Sequence, residues 1–224
     1  MLVLALSACS SSTDPVEPSL RIYTDVESPT VQSSVSGPGS EVQGFGIDSL
    51  RVDSVRILFS RLILHKSNAD TMPKSRNTKA GPLVMTWSRT GVQRNIGADI
   101  EAGVYRKMKM EMHSFSGSEA QTYASDPAFK DFADPDRFTI IVDGTVFEGG
   151  SGQPFRLTSK QKANLFVLFD PDLVIQEEGT AEMVLAFDAV AVFKASGSLF
   201  DPRTPAGKAI FDARFPNMFK FRKK

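Results

Sequence analysis

The strongest constraint on the fold lies in the stretch Val104 to His113, where Met108, Met110 and Met112 interleave with Lys107, Lys109 and Glu111. Successive side chains of a strand point to opposite faces, whereas a helix would scatter these residues around its circumference, so period two decides for β structure. One face is apolar and the other wet. Three thioethers in a row also suit Cu(I), but methionine fills gaps between packed sheets, and core packing is the reading adopted. The same alternation recurs at Leu20, Ile22, Thr24 and Val26, at Val55, Ile57 and Phe59, and at Ala163, Leu165, Val167 and Phe169. It is longest from Met183 to Phe193, where Val184, Ala186, Val190 and Val192 make the second face apolar too. A strand of that kind is expected to be central and covered on both sides.

Between the alternating runs the chain is punctuated by turn chemistry. Ser28 to Ser40 reads as a loop, Lys66 to Pro82 and Ser114 to Asp136 as polar excursions, the latter with one helical turn near Asp126 to Phe132. Leu62 and Leu64 take the opposite parity to Val55, Ile57 and Phe59, which requires a bulge near Ser60-Arg61 or a change of sheet. Short strands are expected from Leu83 to Trp87 and from Phe138 to Val142, and a turn at Gly149-Gly150-Ser151-Gly152. Thr204-Pro205 has the form of a helix start, Thr as N-cap and Pro at the first helical position, leading to a stop at Pro216. The expected architecture is all-β: an antiparallel, Greek-key-like β-sandwich of seven or eight strands with a short C-terminal helix.

Composition bounds the partners. Lys plus Arg equals Asp plus Glu at 26 each, so the mean field offers no attraction for nucleic acid. No apolar run reaches the roughly 20 residues of a membrane-spanning helix, so membrane contact must come through an anchor or a surface. An anchor is legible at the start: the apolar Met1 to Ala8 ends in Leu6-Ser7-Ala8-Cys9, which reads as a lipobox, with small side chains before the cut and Cys9 as the acylated nucleophile. Only eight residues precede Cys9 and none is charged, so a longer precursor is expected. The expected organisation is a signal peptide over 1–8, a lipidated tether over 9–19 and one β-sandwich domain over 20–224. Cys9 is the only cysteine, so the fold relies on its core rather than on disulfides. Ser10 stands where an Asp would retain a lipoprotein in the inner membrane, which points to the outer membrane of a bacterial cell envelope.

Several segments together resemble a family of bacterial lipoprotein domains, domain of unknown function 4382. They are Leu20-Arg-Ile-Tyr-Thr-Asp25, Val52 to Ile57 running on to Leu64-His65-Lys66, Ile100-Glu-Ala-Gly103-Val-Tyr105, and Gln153 to Leu157 leading to Ala186-Phe187-Asp188. The resemblance implies export and a prealbumin-like sandwich, and no reaction. Independently of it, Tyr105 enters the sheet with a ring to bury and a hydroxyl to satisfy near the turn, as tyrosine corners do.

The candidate chemistry is sparse. Nucleophilic catalysis needs a base beside Ser or Cys, yet His65 and His113 are the only histidines and neither sits in a catalytic motif. If the two met at one sandwich edge they could bind a metal. Asp131, Asp134, Asp136, Asp170 and Asp172 cluster in turn-rich segments and are the candidate ligands for Ca²⁺, which takes about six to eight oxygens. Trp87 and Tyr123 are the first candidates for a sugar-stacking platform. The tail from Phe211 interleaves Phe215, Phe219 and Phe221 with basic residues, as a packed last element or a surface for anionic headgroups would. The expected function is non-catalytic: a lipid-anchored envelope protein, held to the membrane through Cys9, that presents its sandwich to an unknown protein or glycan. Alternatives are a carbohydrate-binding module and a metal-dependent or glycosidic hydrolase, the latter needing paired acids in one cleft.

Overall fold

The computed structural model describes residues 19–32, 47–67, 77–133 and 135–223. In chain order the first half holds β1 (Ser19–Glu27), β2 (Thr30–Gln32), β3 (Ser49–Phe59), β4 (Arg61–Lys66), β5 (Asn77–Ala80), β6 (Leu83–Ser88), β7 (Gln93–Asp99) and β8 (Gly103–Met112). Two short helices follow, α1 (Gly117–Tyr123) and α2 (Lys130–Ala133), then β9 (Ile140–Glu148), β10 (Ser151–Ser159), β11 (Ala163–Ile175) and β12 (Thr180–Asp188). The chain closes with α3 (Ala189–Phe193), the hairpin β13 (Lys194–Ala195) and β14 (Ser198–Leu199), α4 (Pro205–Arg214) and β15 (Phe219–Lys223).

The strands form an all-β, sandwich-like body of three main sheets. The first has the order β15-β12-β1-β7, the second β10-β9-β3-β2 with β6 also on β3, and the third β11-β8-β4-β5. Pairings are antiparallel except β1 with β12, which run parallel from Ser19 opposite Thr180 to Glu27 opposite Asp188. Among the described residues there are fifteen strands, more than the alternation alone marks out. Between β3 and β4 the chain changes sheet at a corner that carries neither glycine nor proline. Ser60 is that corner: β3 belongs to the second sheet and β4 to the third, so the parity flip between Phe59 and Leu62 is a change of sheet. The β9–β10 hairpin is the opposite case, closed by Gly149 (φ 55°) and Gly150 (φ 81°) in the left-handed region that a tight two-residue turn demands.

One apolar core is shared by all three sheets. Leu20, Ile22 and Leu185 come from the first, Val55, Ile57 and Trp87 from the second, and Leu64, Met108, Met110 and Met112 from the third. Gly144 lets β9 approach β3, since a Cβ there would strike the Arg51 carbonyl oxygen and the Phe155 ring. A satellite core forms where the 114–137 excursion folds back: Phe115, Phe132 and Ala133 cover Leu58 and Ile141 on the outer side of the second sheet. The excursion is thus more ordered than one helical turn. Its first helix opens on a capping box, with Glu119 N donating to Ser116 Oγ and Ser116 N donating to the Glu119 carboxylate at 2.8 Å.

The longest expected strand is shorter than its pattern. β12 ends at Asp188, and Ala189–Phe193 is helical, because the Asp188 carboxylate caps the turn by accepting from Ala191 N at 3.0 Å. β12 is central in its sheet as expected, between β1 and β15. Its second face is covered by long charged side chains in place of another layer. Val184 and Ala186 are buried beside Arg222, which reaches Asp25 at 2.6 Å, and Lys220, which reaches Asp188 at 2.7 Å and Glu27 at 3.2 Å. The C-terminal residues follow the packing reading, with Phe211 and Phe215 fully buried and β15 paired to β12. Thr204 caps α4 through Gly207 N at 3.0 Å.

Candidate functional site

The residues singled out in the sequence do not converge. Trp87 is completely buried in the shared core, donating its indole N–H to the Leu185 carbonyl at 2.8 Å, so it shows no ring face to a ligand. Tyr123 is half-buried and its ring lies 4.9 Å from both Phe115 and Phe129, so both neighbours occupy it. These two rings pack rather than form a sugar platform. A large aromatic that repays its burial inside cannot be told from an exposed one by sequence context alone.

The aspartates also separate. Asp131 on α2 pairs with Arg56 at 2.7 Å, and Asp136 pairs with Lys160 at 3.4 Å. Asp170 and Asp172 lie in the third sheet, in a break of the β11–β8 register between Leu168 and Leu173. Asp134 and Cys9 lie outside the described residues. Among the described residues no three His, Cys, Asp or Glu side chains come together as ligands would. His65 stands opposite Lys107 on β8, whereas His113 follows Met112, six positions further along that strand, or about 20 Å at the rise of a strand. The two histidines therefore do not share a site.

Two of the depressions among the described residues border the third sheet, one polar and one apolar. The polar one, about 600 Å³, is bordered by Arg61, Glu111, His113, Glu119, Arg137 and Lys162. Two of its acids are locked. Glu111 accepts from Lys109 Nζ at 2.6 Å, which holds its carboxyl below the ordinary range, and the Ser116 backbone N–H, seconded by the hydroxyl, does the same for Glu119. Two of its hydroxyls are engaged as well, Ser116 Oγ in the α1 cap and Ser60 Oγ on the Glu111 carbonyl. A general acid needs the opposite shift. The other depression, about 370 Å³, opens between β11 and the β12–β15 pair over Val167, Leu173, Met183 and Phe221. On its rim, beside Asp170, Glu182 accepts from Tyr23 Oη at 2.7 Å, and Arg222 binds Asp25.

Beside this apolar cleft lies the surface that reading the sequence missed. The outer side of β11 exposes Phe166, Leu168 and Val174 by 55%, 71% and 59%. The immediate register neighbours of Phe166 and Leu168 are lysines. Phe166 stands in a row with Lys109, Ile63 and Lys79, and Leu168 in a row with Lys107 and His65. Lys107 Nζ and Lys109 Nζ lie 5.4 and 5.9 Å from the Phe166 ring centroid, within cation–π range. The available signal was the unbroken run Leu165-Phe-Val-Leu-Phe169, which puts apolar side chains on both faces of a strand that proves to be at a sheet edge. No protein-family model, curated protein or solved structure matches this chain.

Proposed function

We propose that this chain is a non-catalytic lipoprotein of the bacterial cell envelope, anchored through Cys9 and acting by presenting sheet surfaces to a binding partner. The observation that carries binding over catalysis is the state of its acids. Where a neighbour perturbs a carboxyl, it does so toward the ionised form. Arg56 lowers Asp131. At Asp188 and Asp201 burial, which pushes upward, is outweighed by Lys220 with the Ala191 amide and by Arg203 respectively. Such groups hold structure together, while the freely offered surface is apolar and basic. The anchor rests on Leu6-Ser7-Ala8-Cys9 and the sheet architecture suits a tethered module, since two or three acyl chains give lasting attachment. The glycan alternative loses the two rings nominated for it.

The test is metabolic labelling of expressing bacteria with an alkyne fatty acid, followed by membrane fractionation. Label on the wild-type chain, its loss in Cys9→Ser, and release of that variant from the outer-membrane fraction are the expected results. An unlabelled wild-type chain overturns the reading.

A further inference from the structure

The outer face of the third sheet combines two properties that seldom coincide on a surface left to water. In its three central rows, Asn164-Glu111-Arg61, Phe166-Lys109-Ile63-Lys79 and Leu168-Lys107-His65, the cations Arg61, Lys79, Lys107 and Lys109 face one carboxylate, Glu111. That carboxylate is held by Lys109 at 2.6 Å and Arg61 at 3.6 Å. The chain as a whole is neutral, so this is a local excess rather than a reflection of composition. Projecting from the basic field are Phe166 and Leu168, with Val174 beyond the break in β11 that carries Asp170 and Asp172.

From this juxtaposition we infer that the outer face of β11-β8-β4 is a docking surface for an anionic phospholipid bilayer, with Phe166, Leu168 and Val174 entering the headgroup region and the lysines meeting phosphates. The inference rests on the lipid-anchored reading for its biological setting and not for its chemistry. Lysines beside an exposed aromatic and an exposed aliphatic side chain match the interface, where apolar groups seek the acyl boundary and ammonium groups the headgroups. The tether permits it. Ten Cα steps separate Cys9 from Ser19, at most about 35 Å of chain, so an anchored domain is confined close to the bilayer. A weak surface affinity then acts at high effective concentration. A nucleic-acid strand fits the same face less well, because the one exposed ring already lies under two ammonium groups and the other projections are aliphatic, with no π-face to stack a base.

The test uses the full chain as Cys9→Ser, so that acylation plays no part, and vesicles of phosphatidylethanolamine with phosphatidylglycerol against vesicles of phosphatidylcholine alone. Flotation is expected to show binding to the anionic vesicles only, weakened by salt. Phe166→Ser with Leu168→Ser should lower that binding at least ~10-fold, two exposed apolar side chains being removed. Lys107→Glu with Lys109→Glu should also lower it at least ~10-fold and abolish the preference for phosphatidylglycerol. All variants should melt within a few degrees of the Cys9→Ser parent, which separates lost contact from lost fold. Equal binding to both vesicle types, no binding, or binding that the Phe166 and Leu168 substitutions leave unchanged would overturn the inference. So would a single-stranded oligonucleotide that displaces the vesicles. Failure here with fatty-acid label still on Cys9 removes the docking face and leaves the anchor. Vesicle binding without label removes the anchor and leaves the face.

Discussion

Tyr105 shows how one side chain can be specified by two demands at once. Its ring is fully buried among the core residues, and its hydroxyl donates to the Glu101 carbonyl at 2.6 Å, four residues upstream and outside the strand. The bond ties the entry of β8 to the turn before it, which is the work of a tyrosine corner. Tyr105→Phe keeps the ring and removes the tie, so stability should fall by about 1 kcal/mol, read as a lower urea midpoint at unchanged slope. Vesicle binding, measured on folded protein, should not change. A variant that melts like the parent would show the hydroxyl to be idle. Residue-scale roles of this kind were legible because Ile100 to Tyr105 carries its own local logic. Trp87 and Tyr123 were not, since their neighbours come from Leu185, Phe115 and Phe129, and no local pattern announces a partner that distant in sequence or that specific in geometry.

At the scale of elements, the junction of β12 and α3 turns on Asp188. Its carboxylate caps α3 through Ala191 N and receives Lys220 Nζ of β15, so one group ends a strand, starts a helix and fastens the C-terminal strand. Asp188→Ala should cost about 1–2 kcal/mol, mainly as a lost cap. The effect should depend on pH with a definite sign. Lys220 and the backbone amides outweigh burial and depress the folded-state pKa, so the contribution is present above the ordinary carboxylate range and is lost as pH falls through the depressed value. Denaturant midpoints of parent and variant should therefore differ at neutral pH and converge in acid. A gap that persists in acid would show that the carboxylate's charge is irrelevant. The alternation of Met183 to Phe193 concealed this break, because valine and alanine suit a strand and a buried helical turn alike. The Ser116-x-x-Glu119 capping box, by contrast, was a local signal for α1 that alternation could not supply.

For the whole molecule, the consequential fact is that three sheets close on one core. Leu58 and Ile141 show how little is left over: they face the other way and acquire their own cover from α1 and α2. A shared core predicts one cooperative transition, with Trp87 fluorescence and far-ultraviolet dichroism coinciding in urea, since the indole sits where the sheets meet. Two separated transitions would mean that one sheet can leave without the others. What the sequence alone determined is the parity of the plainly alternating strands β1, β3, β8, β11 and β12, the turn at Gly149-Gly150 and the cap at Thr204, because each depends on neighbours a few positions away. Tertiary structure alone decided which sheet each strand joins, that β1 lies parallel to β12, that Trp87 is interior, and that Phe166 and Leu168 face outward among lysines. These depend on which distant backbone supplies the hydrogen bonds, and burial is a property of the assembled sheets that no single strand carries.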